Sequence, residues 1–176
     1  MITDFCTELT GITQEMVNKG KPILEVLKLF DKHIEQQGIK NKNWVFLTCG
    51  DWDLKTCLKN EAKFKGIKVA EYYKEWINIK LIFPCEMFGI DRIHGMTEML
   101  KLLNLKLEGR HHSGIDDVKN IAQIVLALLK KGVEFSRSDI SKGYKGRGSG
   151  KKECRYGVKC RRKDCKFYHP SKKHNQ

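Results

Sequence analysis

Four residues near the carboxyl end of this sequence have the types and spacing of a metal site. Cys154, Cys160, Cys165 and His169 are separated by five, four and three residues. Three thiolates and one imidazole form a closed tetrahedral set for one structural zinc ion, with no position left for water. The intervening stretches are short and polar, so metal binding would be coupled to the folding of this segment. Tyr156, Phe167 and Tyr168 alternate with Arg155, Lys159, Arg161, Arg162, Lys163 and Lys166. Aromatic faces that stack on bases, set among cations that meet phosphates, are the usual equipment for single-stranded nucleic acid. The competing reading is three incidental cysteines in a basic tail, with the rings serving only to pack. Gly157, in the first loop where a tight turn is needed, favours the metal.

A second set of chemistry-bearing residues lies earlier. Asp51 and Asp53 follow a continuous apolar run, Trp44-Val45-Phe46-Leu47, and His112 lies five residues before Asp117. Asp117, Ile121, Ile124 and Leu128 fall on one face of a helix, so Asp117 leads an apolar stripe. Asp116 lines up instead with Asn120, Gln123 and Lys130, the wet face. Both acids suit a helix amino terminus. That accounts for Asp116 better than for Asp117, because burying a carboxylate is costly unless it is paired or bound to metal. Ligands in α/β sheets collect at the carboxyl ends of strands, which gives two acids and a histidine a route to one site.

The elements that must position these groups follow from periodicity. Pro22 suits the first turn of a helix whose apolar positions are Ile23, Val26, Leu27, Phe30 and Ile34. The run at 44–49 reads as a strand buried on both faces and ending at Gly50. A helix from Leu54 to Phe64, a second strand at 76–79 and a short helix from Met96 to Leu103 follow. The clearest helix spans Asp116 to Lys131, with Gly132 as its stop. Strands alternating with helices predict an α/β layered domain. Two strands are few for it, since a buried central strand needs neighbours on both sides.

Charge divides the chain. Of the net +13, residues 136–176 carry +11 from 14 Lys+Arg and 3 Asp+Glu. Such an end attracts polyanions. No apolar run approaches the ~20 residues of a membrane helix, and the amino terminus lacks the basic start and apolar stretch of a signal peptide. Cys6, Cys49, Cys57 and Cys85 are scattered through apolar segments and read as free thiols. An intracellular protein of nucleus or cytoplasm, with no membrane partner, is expected.

The carboxyl-terminal segment resembles the CCCH zinc-finger family. Its loop lengths look more like the nuclear poly(A)-binding fingers than the longer-loop fingers, which implies purine-rich single-stranded RNA. The blocks ITDFCTELTGITQEMV, GDWDL, WINIK and GMTEMLKLLNLKLEGRHHSGIDDVKNIAQI resemble, in order, the ERI-type 3′–5′ exoribonucleases of the DEDDh superfamily, which include the histone-mRNA 3′-end exonuclease. The resemblance implies two Mg²⁺ ions that clamp the attacking and leaving oxygens of a phosphodiester, held by four carboxylates. Asp53 and Asp117 match two of these. His112 matches the general base, the role most often filled by an imidazole, and the family spacing selects it over His111. Family members open with a strand carrying Asp-x-Glu and two further strands. This sequence begins after all three, and Asp4 and Glu8 do not substitute for the missing acids.

The resulting expectation is an incomplete ribonuclease H-like (DEDDh exonuclease) domain of α/β class over residues 1–135. A basic Gly/Ser-rich flexible linker at 136–153, a CCCH finger at 154–169 and a basic tail at 170–176 would follow. The expected function is trimming of single-stranded RNA 3′ ends, with one structural Zn²⁺ and, in a complete nuclease domain, two Mg²⁺. Residues Tyr156, Phe167, Tyr168, Arg161, Arg162 and Lys166 would contact the RNA. The main alternative is a non-catalytic RNA-binding protein in which the first domain is scaffold. A DNA-directed nuclease of the superfamily is disfavoured by the ERI-like blocks and the finger.

Overall fold

Two short helices open the chain, each started by a threonine hydroxyl. In α1 (Asp4–Thr10) Thr3 accepts from the Cys6 amide, and in α2 (Gln14–Lys19) Thr13 accepts from the Met16 amide. Neither buries a residue, which is why apolar periodicity did not announce them. The structure is a computed structural model and describes residues 1–142. The predicted zinc finger, the basic tail and residues 143–153 of the predicted linker lie outside the described residues.

Helix α3 (Ile23–Gln36) follows Pro22 as predicted, and turns Ile23, Leu27, Phe30 and Ile34 inward. Val26, predicted on the same stripe, is exposed. Strand β1 (Phe46–Thr48) is only half-buried, not covered on both faces. The next helical stretch begins with seven residues of π-helix, Trp52–Leu58, and continues as α4 (Lys59–Phe64). It therefore starts two residues earlier than the Leu54 predicted and is wider in its first turns. Strand β2 (Glu75–Asn78) leads directly into α5 (Ile79–Ile82). Helices α6 (Met96–Leu102) and α7 (Gly114–Lys130) match their predicted positions closely.

The final element corrects the predicted linker. Residues 136–142 are structured: Ser136 and Asp139 form a reciprocal capping box around a 3-10 turn, and strand β3 (Ile140–Lys142) follows. Strand β3 pairs antiparallel with β2, and β1 pairs parallel with β2, giving the order β1-β2-β3. The buried central strand is therefore β2, where Trp76, Ile77 and Asn78 are 1%, 6% and 5% exposed. Strand β1 has a partner on one side only among the described residues, and the apolar run at 44–47 that leads through it is half-buried. The main core lies between α5, α6 and α7, around Ile79, Phe83, Met99, Leu100, Ile124 and Leu128. A separate aromatic cluster of Phe30, Trp44, Phe46, Tyr72 and Tyr73 joins α3 to the sheet.

Candidate active site

Strands β1 and β2 end level with each other, in register Thr48↔Asn78. What happens just beyond these ends is governed by Asn78. Its side-chain oxygen accepts from the amides of Gly50 at 3.0 Å and Lys80 at 3.1 Å, and its Nδ2 donates to Asp51 Oδ1 at 3.0 Å. The same carboxylate oxygen accepts from Trp76 Nε1 at 3.0 Å. Thr48 Oγ1 donates to the Gly50 carbonyl at 2.6 Å. Gly50 takes a φ of 121°, which a side chain would resist. Asp51, one of the two acids expected at this end of the sheet, is thus spent on holding the loop. Its neighbour Asp53 stands in the first turn of the π-helix, a distortion common at functional sites.

The opposing wall is the loop before α7. Arg110 N–H donates to Asp116 Oδ2 at 3.0 Å, and the Arg110 guanidinium reaches the Glu8 carbonyl at the end of α1. Gly109, with φ 68°, lies so close to Asp116 that an added Cβ would come within 2.3 Å of its carboxyl carbon. Asn120, fully buried, accepts from the Glu108 amide at 2.9 Å and donates back to the Glu108 carbonyl at 2.8 Å. His112 has φ 69°, unusual for a residue with a side chain, and its amide donates to Asp117 Oδ1 at 3.3 Å. Asp116 therefore holds the loop, and the Arg110 amide, then Ser113 and Lys119, keep its carboxyl below the usual aspartate range. The placement of Asn120 on the wet face is overturned: the buried stripe of α7 is Asn120, Ile124 and Leu128, at intervals of four.

Between these walls lies a cavity of about 460 Å³ lined by Thr48, Cys49, Asp53, Met96, His111 and Asp117, among others. Asp53 and Asp117, paired on the basis of the sequence, do come together here. Burial pushes the Cys49 thiol up, and Asp117 and Asp53 push it further while Lys80 opposes them. The thiol thus registers the negative charge of both carboxylates. His111 lines the cavity. His112 is exposed and stacks its ring on His111, with centroids 3.9 Å apart. Among the described residues no group of three or more His, Cys, Asp or Glu side chains is gathered as a metal cluster.

The donor set decides what could bind. Mg²⁺ is commonly held by one or two carboxylates, with water and substrate phosphate completing six-fold coordination. Asp53 and Asp117 suit one such ion. They do not suit the pair of ions implied by the resemblance, which needs more carboxylates than the described residues bring here. Sequence reasoning missed the residues that hold the walls: Asn78, Trp76, Arg110 and Asn120. A buried-strand pattern ending in Asn was the one available signal.

Residues 1–125 match the family model described as exonuclease, RNase_T. The chain is 42% identical over 139 residues to ERI1 exoribonuclease 3 of Homo sapiens, covering 78% of this chain and 41% of that protein. It is 35% identical over 137 residues to 3'-5' exoribonuclease 1 of Homo sapiens, covering 76% and 39%. The chain thus spans about two fifths of the length of these curated relatives. Among solved structures, the nuclease domain of 3'hExo, a DEDDh family member bound to rAMP, is similar with a TM-score of 0.72 at 33% identity, over 77% of this chain and 68% of that one. The 3'-exonuclease solved for 3'-end specific recognition of histone mRNA stem-loop is similar with a TM-score of 0.71 at 28% identity, over 80% and 51%.

Proposed function

The chain belongs to the exonuclease family, with an ERI1-like DEDDh domain, and from that premise we propose that it removes nucleotides from the 3′ ends of single-stranded RNA. The observation that carries this reading is the meeting of Asp53 and Asp117 in one cavity at the carboxyl ends of β1 and β2. A divalent ion held by these two carboxylates would polarise the scissile phosphodiester. The two carboxylates bring negative charge to the cavity and would hold that ion. An imidazole of the 111–112 pair takes the proton from the attacking water; the family spacing assigns this to His112, while His111 lines the cavity. Asp51 and Asn78 hold one wall together, and Asp116 and Asn120 hold the other.

The second ion implied by the resemblance would need carboxylates beyond Asp53 and Asp117, so the reading made from the described residues stops at one. The segment Cys154, Cys160, Cys165 and His169 holds one zinc ion, and Tyr156, Phe167 and Tyr168 with Arg161, Arg162 and Lys166 grip the RNA while its 3′ end is trimmed. The protein works inside the cell, in nucleus or cytoplasm.

A second reading is favoured by one observation: two carboxylates, and no larger ligand cluster among the described residues, suit RNA binding without hydrolysis. Incubation of the chain with 5′-labelled single-stranded RNA and Mg²⁺ separates the two. Progressive 3′ shortening that disappears in Asp117→Asn supports the nuclease. RNA bound but unshortened supports the binding protein.

A further inference from the structure

A second cavity opens at the other end of the sheet. Strands β1 and β2 run parallel, so Val45 and Glu75 lie at the end opposite Thr48 and Asn78. The cavity there has a volume of about 490 Å³. Trp44 and Tyr72 line it, with ring centroids 5.1 Å apart. Trp44 is braced by Phe46, whose ring meets it nearly at a right angle at 5.2 Å. Tyr72 is fixed by its hydroxyl, which donates to Asp31 at 3.1 Å. Val45, Ile77 and Ile140 add apolar lining. Asn43, Ser136 and Arg137 bring an amide, a hydroxyl and a guanidinium, and Arg137 donates to Asn43 Oδ1 at 3.0 Å. No residue that lines this cavity also lines that of Asp53; Phe46, which braces Trp44, lines the latter alone.

The volume falls within the ~300–1,000 Å³ of small-ligand sites, and the lining has their usual form of apolar wall with a few convergent polar groups. The particular mixture narrows the ligand. Arg137 pairs with Asn43 and Ser136 Oγ donates to Asp139, so what a saturated chain would leave without use is the Asn43 amide nitrogen, the remaining guanidinium N–H groups and the Ser136 oxygen as acceptor. An unstacked base uses all of them: it stacks on aromatic rings or a guanidinium plane and is hydrogen-bonded along its edge. Glu75, also in the lining, offers the acceptor that an exocyclic amine would need. The charge agrees. Arg137 stands at the cavity.

We propose that this cavity is a nucleobase-binding site that holds one base of the RNA strand upstream of the 3′ end. It rests on the reading of RNA as the ligand, but not on hydrolysis. The four residue steps from Trp44 to Thr48 span roughly 13 Å in extended chain, so a strand of a few nucleotides is long enough to reach from one cavity to the other.

The test uses the full chain and a short oligoadenylate carrying 4-thiouridine at successive positions, in magnesium-free buffer. Affinity is followed by fluorescence anisotropy, and photocrosslinks are mapped by mass spectrometry. An internal thiouridine is expected to crosslink to the peptides containing Trp44, Tyr72 or Arg137. Arg137→Ala and Trp44→Leu are expected to remove that crosslink and weaken binding about tenfold, as loss of one stacked base would. Arg137 is exposed, so its replacement keeps the test sound if the Trp44 variant does not fold. The crosslink is expected to persist in Asp117→Asn. Tight binding with crosslinks confined to other peptides, or unaltered by Arg137→Ala, overturns this site and leaves the nuclease reading standing. Failure of the parent chain to bind RNA overturns the RNA reading itself.

Discussion

The Asn120 side chain closes both backbone groups of Glu108, accepting from its amide at 2.9 Å and donating to its carbonyl at 2.8 Å. One buried amide on α7 thereby fixes the loop that carries His111, His112 and the approach to Asp117. Replacing it by leucine, similar in size, leaves the two Glu108 groups without their partner. A buried donor or acceptor so stranded costs about 1–3 kcal/mol. Asn120→Leu is expected to lower stability by that amount in urea unfolding of the full chain. A variant as stable as the parent would show that water replaces the amide without loss.

Gly109 and Asp116 make a similar pair on the outer side of the loop. A Cβ at Gly109 would meet the Asp116 carboxyl carbon at 2.3 Å, and φ is 68°. Gly109→Ala is expected to destabilise by more than about 1 kcal/mol, because both the contact and the left-handed backbone resist it. The pH dependence follows from the carboxyl itself. Asp116 is held below the usual aspartate value, first by the Arg110 amide. Its stabilisation is fully present above the unfolded value of ~3.9, and is lost as pH falls through the lower folded value. Thermal melts of the parent and Asp116→Asn should therefore differ at neutral pH and converge as the solution becomes strongly acidic. Parallel curves at all pH values would remove Asp116 from this role.

The parts of the fold legible in the sequence were those with long local periodicity. Helices α3, α6 and α7 announce themselves by apolar spacing; a strand end and a helix stripe bring Asp51, Asp53 and Asp117 toward one end of the sheet, and the family resemblance singles out Asp53 and Asp117. Asn120 was misread because a polar residue on a helix reads as solvent-facing unless its partner is known, and the partner, Glu108, lies in a loop without periodicity. Strand β3 was missed because three residues, Ile140-Ser141-Lys142, carry no pattern of their own; they become a strand only by pairing with β2 some 65 residues earlier. For the same reason β1 was taken as the buried strand. A run of four apolar residues cannot say how many neighbours it has, and the pairing gave that position to β2.

The metal prediction for the carboxyl-terminal segment is simple to check. The purified full chain under reducing conditions should contain one equivalent of zinc, reduced to near zero in Cys160→Ser, since a closed tetrahedral site does not survive loss of a thiolate. Absence of zinc in the parent would leave three incidental cysteines as the better reading.

The same end of the chain should dominate RNA affinity. Because β3 ends at Lys142, the chain is best shortened after that residue, which removes 12 Lys+Arg and 2 Asp+Glu while leaving the sheet intact. Loss of these cations should weaken binding sharply and flatten the dependence of log affinity on log salt, since each phosphate neutralised contributes to that slope. Tyr168→Ala in the full chain should cost ~1–3 kcal/mol if that ring stacks on a base. Unaltered affinity and slope after shortening would place RNA binding in the first domain.

Residues 1–176 are expected to trim RNA slowly, and the two histidines are expected to differ in how much they matter. In-line hydrolysis is fastest when separate ions stabilise the attacking and the leaving oxygen, and the described residues bring Asp53 and Asp117 alone to the cavity. Metal binding can be read apart from turnover by titrating Mn²⁺ and following its paramagnetic resonance. One weak site is expected, lost in both Asp53→Asn and Asp117→Asn. Two tight sites in the parent would show that more donors reach the cavity than these two. Turnover then separates the imidazoles. If His112 takes the proton from water, His112→Ala should slow trimming by ~100-fold or more, the usual contribution of a general base, and His111→Ala far less. The geometry sets the opposite outcome equally clearly, since His111 lines the cavity and His112 reaches Asp117 through its backbone amide. A large loss in His111→Ala with a small one in His112→Ala would move the base to His111 and make His112 the residue that orients Asp117.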